Sequence, residues 1–229
     1  MAKSKHNTEP MGALMQPGLA RVTVVAGVCP PGLSFVLAAE RAEAGRAADA
    51  VVLKEDETLS PKHCAFVRKG GKLHVEDLDS ANGVYTRIKG THALSDGDWF
   101  RVGRQVFRFF ELSEQQEFPN EAGTLFFTSP RRQGTFRVQQ MLEGGKAGLS
   151  STTSGDELTI GGDGSTIAFS ADKNLSASHC KISRTSSGSF QLDDLSSTNG
   201  TYIRIDGKAD LAHGDYLYVG NEILRVDVV

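Results

Sequence analysis

The chain has 229 residues, of which 39% are hydrophobic and 23% are charged, and its formal net charge is -3. This composition is typical of an ordinary globular protein and gives no general attraction to nucleic acid. No apolar run is long enough to cross a bilayer, and the polar start at residues 2–10 lacks the apolar stretch of a secretory signal. We therefore expect a cytoplasmic protein without nucleic-acid or membrane partners.

Short β-rich runs follow one another along almost the whole chain. Residues 1–18 are polar and aperiodic, so we expect a mobile N-terminal tail. From Arg21 onward, runs rich in Val, Ile, Phe and Tyr alternate with turn signals. Helical periodicity is weak and confined to residues 38–48. A strand, a turn at residues 30–32 and a second strand are predicted between Arg21 and Leu37. The other predicted strands are 50–53, 64–67, 72–76, 84–88, 99–102 and 106–110, then 135–142, 158–160, 166–169, 180–183, 190–192, 202–205, 216–219 and 223–228. The pattern predicts an all-β sandwich.

The middle of the chain has the composition of a linker with one exception. Residues 111–121 are acidic and polar, whereas Leu125, Phe126 and Phe127 form an apolar segment. Exposed phenylalanines would be costly to leave in water. Our hypothesis is that this part of the 113–133 linker packs on a domain or adds a strand.

Two motifs occur twice in the same order. Residues 59–64 (LSPKHC) and 77–83 (DLDSANG) recur as 175–180 (LSASHC) and 194–200 (DLSSTNG). The interval between the motifs is one residue longer in the second copy, as an insertion in a turn would make it. Both copies also have a Gly-rich segment before the first motif, and Gly-Asp and Val-Gly pairs after the second. The chain is therefore a duplication of about a hundred residues, long enough in each copy to bury a core.

The ordered set of motifs resembles the forkhead-associated (FHA) domain. The resemblance implies two FHA-type β-sandwich domains in tandem, at residues 19–112 and 134–229. It also implies a binding site for phosphothreonine in an extended peptide, built on loops at one end of the sandwich. A phosphate has close to two negative charges and three acceptor oxygens, so it requires an Arg fork and hydroxyl or amide donors.

The resemblance assigns a complete site to the first repeat. Arg46 matches the phosphate-contacting Arg of the family and Ser60 its phosphate-binding Ser. Lys62 lies where a further basic contact could be made, and Asn82 matches the Asn that binds the peptide backbone.

Neighbouring residues of the first repeat have supporting roles in this interpretation. His63, together with Gly45 and Gly83, is expected to brace the loops, since no nucleophile accompanies the histidine. Two departures suggest a modest affinity. Ala81 replaces a Thr found in many members, and Pro61 removes a backbone donor.

The second repeat matches the family less well. It retains Ser176, His179, Thr198 and Asn199. The position equivalent to Arg46 is Gly162, followed by Asp163. Loss of the cation and gain of a carboxylate both disfavour phosphate. We therefore predict a degenerate second site.

Other kinds of chemistry have little support in the sequence. Cys64 and Cys180 alternate with apolar residues, which favours buried core thiols over reactive or metal-binding ones. No phosphate-binding loop with Lys-Ser/Thr, paired-cysteine metal motif or nucleophile elbow is present, so no catalytic residue, metal or cofactor is predicted.

The sequence thus predicts a non-enzymatic adaptor in serine/threonine kinase signalling that binds phosphothreonine proteins, either kinase substrates or a kinase, mainly through the first repeat. The alternative is a phosphate-independent interaction scaffold or oligomerisation module. Thr8 in the tail is also a candidate for capture by the chain's own site after phosphorylation.

Overall fold

The computed structural model describes residues 19–112, 122–124 and 135–228. The predicted N-terminal tail with Thr8 lies outside these residues, and so does the apolar segment at Leu125, Phe126 and Phe127. In the described part of the chain, no helix has the length and hydropathy needed to cross a membrane.

The described chain is built almost entirely of β-strands, which confirms the all-β prediction. The first repeat contains β1 Ala20–Ala26, β2 Ser34–Leu37, β3 Arg41–Gly45, β4 Val51–Val52, β5 Cys64–Lys69, β6 Lys72–Asp77, β7 Val84–Arg87, β8 Thr91–Leu94, β9 Trp99–Val102 and β10 Gln105–Glu111. The second contains β11 Phe136–Met141, β12 Ala147–Thr153, β13 Glu157–Gly161, β14 Ile167–Ala168, β15 Cys180–Arg184, β16 Phe190–Asp194, β17 Thr201–Arg204, β18 Lys208–Leu211, β19 Tyr216–Val219 and β20 Glu222–Val228. A single 3-10 turn, Glu143–Gly145, joins β11 to β12.

The weak helical pattern at residues 38–48 was misleading. Strand β3 occupies this stretch and pairs antiparallel with β5, from Arg41 opposite Val67 to Ala44 opposite Cys64. Ala42 and Ala44 are both buried, which is the alternation of a strand. Alanine has a high helix propensity, and the partner strand outweighs it here.

The described residues form two compact units. The first joins the residues up to Gly83 with those from Gly207 onward. One of its sheets has the order β2-β1-β20-β19, and the other has the order β18-β6-β5-β3-β4. Inward-facing Val, Leu and Phe side chains of these strands fill the space between the sheets.

The second unit comprises Val84–Asp206. Its sheets have the orders β12-β11-β10-β9-β17-β7 and β14-β13-β15-β16-β8. Phenylalanines dominate its core, where the ring centroids of Phe109 and Phe190 are 5.1 Å apart and those of Phe136 and Phe190 are 5.3 Å apart.

Each unit contains strands of both repeats: the first takes β18, β19 and β20 from the second repeat, and the second takes β7, β8, β9 and β10 from the first. In the first unit, β6 pairs with β18, with Leu73 opposite Leu211. In the second unit, β16 pairs with β8, with Phe190 opposite Leu94. The compact units therefore do not coincide with the two repeats in sequence, and the domain bounds 19–112 and 134–229 stay a prediction. This exchange of strands between the repeats is physically permitted because β8 and β18 have the same burial pattern, which ends in an inward leucine. Either strand therefore fits beside β6 or beside β16.

The three cysteines are buried and unpaired. Burial raises the pKa of the Cys64 and Cys180 thiols well above the ordinary value, so both stay protonated near neutral pH. These two residues therefore behave as small core side chains rather than as reactive thiols.

Candidate functional site

Three loops of the first unit bring the predicted site residues together. Arg46 directly follows β3, Ser60 lies between β4 and β5, and Asn82 lies between β6 and β7. The Arg46 backbone N–H donates to the Ser60 carbonyl at 3.1 Å, and its side-chain Nε donates to the Leu59 carbonyl at 3.3 Å. The Arg46 side chain is exposed at the loop rim and anchored at its Nε, which leaves the outer nitrogens for a ligand.

Gly45 allows the first two loops to approach closely. A Cβ atom at this position would overlap the carbonyl oxygen of Pro61 and would lie 2.8 Å from that of Ser60. The close approach also permits the hydrogen bond from the Ala47 backbone N–H to the Pro61 carbonyl at 3.0 Å. Glycine is needed here for space, and its role is to place Arg46 beside the Ser60 loop.

His63 connects the second loop to the third. Its imidazole is fully buried. Nδ1 accepts a hydrogen bond from the Ser60 backbone N–H at 3.1 Å, so the ring proton lies on Nε2, which donates to the Gly83 carbonyl at 3.1 Å. With both ring nitrogens occupied, His63 has a positioning role and is not arranged for proton transfer.

The polar side chains of the rim keep free hydrogen-bonding capacity. Ser60 Oγ accepts from the Ala81 backbone N–H at 3.2 Å, and its hydroxyl proton has no acceptor among the described residues. Asn82 Nδ2 donates to the Thr58 carbonyl at 2.7 Å, while its Oδ1 has no donor within the described chain. The loops thus present an Arg fork, a hydroxyl donor and an amide acceptor, which suits a phosphorylated residue in an extended peptide.

Lys62 is placed differently from the other predicted contacts. Its Nζ lies 2.8 Å from Glu43 Oε2 on β3, and the contact with this carboxylate raises the pKa of the Lys62 ammonium. The Lys62 side chain is 60% exposed. Exposed ion pairs are weak, so a phosphate could compete with Glu43 for this lysine.

Asp56 supports the Ser60 loop and was missed by sequence reasoning. This buried carboxylate accepts hydrogen bonds on Oδ1 from the Thr58 N–H and hydroxyl, at 2.9 and 2.6 Å. Oδ2 accepts from the Asn221 backbone N–H at 2.7 Å, in the β19–β20 turn of the second repeat. A signal was available, because Asp172 precedes Ser176 by the same four residues.

The second unit reproduces the loop framework. His179 Nδ1 accepts from the Ser176 N–H at 3.2 Å, and its Nε2 donates to the Gly200 carbonyl at 3.0 Å. Ser176 Oγ accepts from the Thr198 N–H at 3.2 Å, and Asn199 Nδ2 donates to the Asn174 carbonyl at 2.9 Å. The framework is thus independent of whether a cation is present.

A turn of the first repeat supports the corresponding loop of the second unit. The buried Asp172 accepts from the Arg104 backbone N–H at 2.9 Å and from Gln105 Nε2 at 2.8 Å, both on Oδ2. Its Oδ1 accepts from the Asn174 N–H at 3.0 Å. Each candidate site therefore rests on a turn supplied by the other repeat.

Gly162 occupies the position of Arg46. Its backbone N–H donates to the Ser176 carbonyl at 2.9 Å, as that of Arg46 does to the Ser60 carbonyl. A Cβ at Gly162 would meet its nearest atom, Ala177 Cα, at 3.6 Å, which is an ordinary contact. The second site therefore lacks the cation, although the backbone leaves room for a Cβ atom at this position.

We predict that Gly162→Arg creates phosphothreonine-peptide binding in the second unit, because it adds a charge-assisted partner to an intact loop framework. In an Arg46→Ala background, the gain should be about tenfold or more by isothermal titration. Gly162→Ala is the matched control and should add nothing. Equal affinities of the Arg and Ala variants would contradict the interpretation.

We also predict a pH dependence of stability from His179. Burial is the main cause that lowers its pKa below the ordinary 6.5, against the raising effect of the Gly200 hydrogen bond. Because the folded pKa is below the unfolded one, the unfolded state binds more protons as the pH falls past 6.5, and stability decreases. The urea midpoint should therefore drop on acidification, and less so in His179→Asn.

The exposed His213 provides the control for this measurement. His213→Asn should keep the wild-type dependence of the midpoint on pH. A His179→Asn protein with an unchanged dependence would contradict the assignment to His179.

Comparison with known proteins agrees with the repeat and the loops. The family model of the FHA domain matches residues 43–103 and 153–220, which together exceed half of the chain. A relative from Corynebacterium jeikeium, an oxoglutarate dehydrogenase inhibitor, is 33% identical over 50% of this chain and 79% of its own length. The glycogen accumulation regulator of Mycolicibacterium smegmatis is 32% identical over 32% of this chain and 48% of its own length.

Among solved structures, the FHA domain of a Chlamydia trachomatis protein matches 41% of this chain and 97% of its own. The two are 23% identical, with a TM-score of 0.25. The family matches confirm the resemblance seen in the motifs: the chain belongs to the FHA-domain family.

Proposed function

We propose that this chain is a non-enzymatic adaptor that binds phosphothreonine-containing proteins downstream of a serine/threonine kinase. Binding takes place mainly at the loop rim of the first unit. Arg46 and Ser60 bind the phosphate, Lys62 contributes after leaving Glu43, and Asn82 holds the peptide main chain. The observation that carries the proposal is the anchoring of Arg46 to the Ser60 loop through both its backbone and Nε.

The chemistry of the rim supports a doubly charged ligand. The fixed loop geometry reduces the entropy lost when a phosphate is bound. A neutral threonine hydroxyl would leave Arg46 without a charged partner, so the phosphate should provide a large part of the affinity. The second unit, with Gly162 in place of the Arg, binds phosphopeptide weakly or not at all.

The names of two relatives support a regulatory role for this chain. One is named as an inhibitor of oxoglutarate dehydrogenase and another as a regulator of glycogen accumulation. We propose that this chain likewise acts by binding other proteins, with a kinase determining when a partner is recognised. No catalytic step of its own is part of the proposal.

A phosphate-independent scaffold is the second candidate. Four apolar side chains are exposed along β1, β2 and their connection, at Val25, Val28, Leu33 and Val36, with exposures between 37% and 53%. Such a group favours contact with a protein surface that contains no phosphate.

Capture from a cell lysate separates the two candidates. The intact protein should retain partners from an untreated lysate and lose them when the lysate is treated with phosphatase. Arg46→Ala should lose the same partners without treatment. Partners that survive both changes would support the scaffold instead.

A further inference from the structure

One side of the larger sheet of the second unit carries a group of arginines and aromatic rings. Alternate residues of β9, β10, β11 and β17 point away from the core of this unit. The residues between them, such as Phe100, Phe109 and Val138, are fully buried in the core. We call this outward group the arginine face, and it consists of Arg137, Phe110, Arg108, Trp99 and Arg204.

The members of the arginine face form an alternating stack of cations and rings. The Arg137 guanidinium lies 4.4 Å from the Phe110 ring centre, and that of Arg108 lies 4.9 Å from the same ring. Arg108 also lies 5.9 Å from the Trp99 ring, and Arg204 completes the stack 5.7 Å from Trp99. Stacking holds the guanidinium groups in fixed positions, which is favourable for bidentate binding of carboxylates.

The hydrogen bonds of these arginines are incompletely satisfied. Arg137 Nε is buried and has no acceptor among the described residues. Arg108 Nε donates to the Gly97 carbonyl at 3.3 Å, a long contact that orients the side chain. A buried donor without a partner is costly, so an incoming acceptor would be stabilising.

The charge on this side of the sheet is one-sided. On the edge strand β12, the residues opposite Arg137 and Gln139 are Thr152 and Ser150, which carry no charge. On β9, β10, β11 and β17, no outward position between the strand ends holds a carboxylate, although the whole chain has a net charge of -3.

We propose that the arginine face is a second docking surface, which binds an acidic segment of a protein partner independently of phosphothreonine. The argument is charge complementarity: several oriented guanidinium groups without local carboxylates fit a run of Asp and Glu side chains. Single-stranded nucleic acid fits less well, since the ring surfaces on which bases would stack are covered by arginines.

The test is a titration of the intact protein with a fluorescently labelled oligoglutamate peptide, followed by anisotropy. Wild-type protein should bind, with an affinity that decreases as salt is raised. Arg108→Gln combined with Arg204→Gln should weaken binding about tenfold. Arg184→Gln is the matched control, because Arg184 is on β15 in the other sheet of the same unit, and it should change nothing.

Phosphothreonine-peptide binding at the Arg46 site should be the same in all these variants, which shows that the protein is folded and separates this proposal from the proposed function. Arg108→Lys provides a second variant and should give an intermediate loss. Equal oligoglutamate binding by wild-type and doubly substituted protein would overturn the proposal. A wild-type protein that does not bind oligoglutamate would also overturn the proposal. Tighter binding of oligothymidylate than of oligoglutamate would overturn it as well and would assign the arginine face to nucleic acid.

Discussion

Arg46→Ala is expected to lower the affinity of the intact protein for a phosphothreonine peptide by roughly ten- to a hundredfold. Charge-assisted hydrogen bonds are worth about 1.5 to 3 kcal/mol, and the substitution removes the fork that the Ser60 loop holds in place. Arg46 is exposed, so the fold should be retained. Isothermal titration of both proteins with the same peptide measures the loss.

Arg41→Ala is the matched control for this effect. Arg41 is also an exposed arginine of the first unit, on β3, but it pairs with Glu76 at 2.6 Å. Its loss should leave peptide affinity within about twofold of wild type, since exposed ion pairs contribute little. Similar losses in the Arg41 and Arg46 variants would indicate a general charge effect and contradict the assignment of the site.

The exchange of strands should appear as a covalent link between the repeats when cysteines are placed across it. Ala93 on β8 lies directly opposite Gln191 on β16, and neither is buried. Opposed residues of antiparallel strands are close enough for a disulfide. Ala93→Cys with Gln191→Cys should therefore crosslink under mild oxidation. After proteolysis between residues 113 and 134, the two fragments should stay together without reductant.

The control pair is Ala93→Cys with His74→Cys. His74 lies opposite Asp210 of β18, and Asp210 is the repeat-two equivalent of Ala93. If the repeats did not exchange strands, β8 would pair with β6, and Ala93 would face His74. A crosslink between Ala93→Cys and His74→Cys, with none between Ala93→Cys and Gln191→Cys, would therefore contradict the exchange.

The sequence could predict strands wherever apolar residues alternate over several positions. Strands β9 and β19 have the predicted bounds, 99–102 and 216–219. Strands β8 and β18 were missed because each has only four residues and one buried side chain. So short an edge strand has too weak a pattern to be recognised.

The position of a predicted site residue in the fold could be anticipated where a motif specified its loop. The motifs identify the loops that carry Arg46, Ser60, His63 and Asn82, and the fold brings these loops together. Asp56 could have been found from its repetition as Asp172, whereas the pairing of Lys62 with Glu43 depends on adjacent strands. The exchange itself could not be predicted, since equivalent strands of the two repeats bury the same kinds of side chain, and the pattern alone does not distinguish one edge from the other.

The most direct test of the proposed function is a calorimetric titration of the intact protein with an oriented phosphothreonine peptide library and its unphosphorylated counterpart. Binding of the phosphorylated library alone, abolished by Arg46→Ala, is the predicted result. Equal binding of both libraries, or binding indifferent to Arg46, would contradict the account and favour a phosphate-independent scaffold.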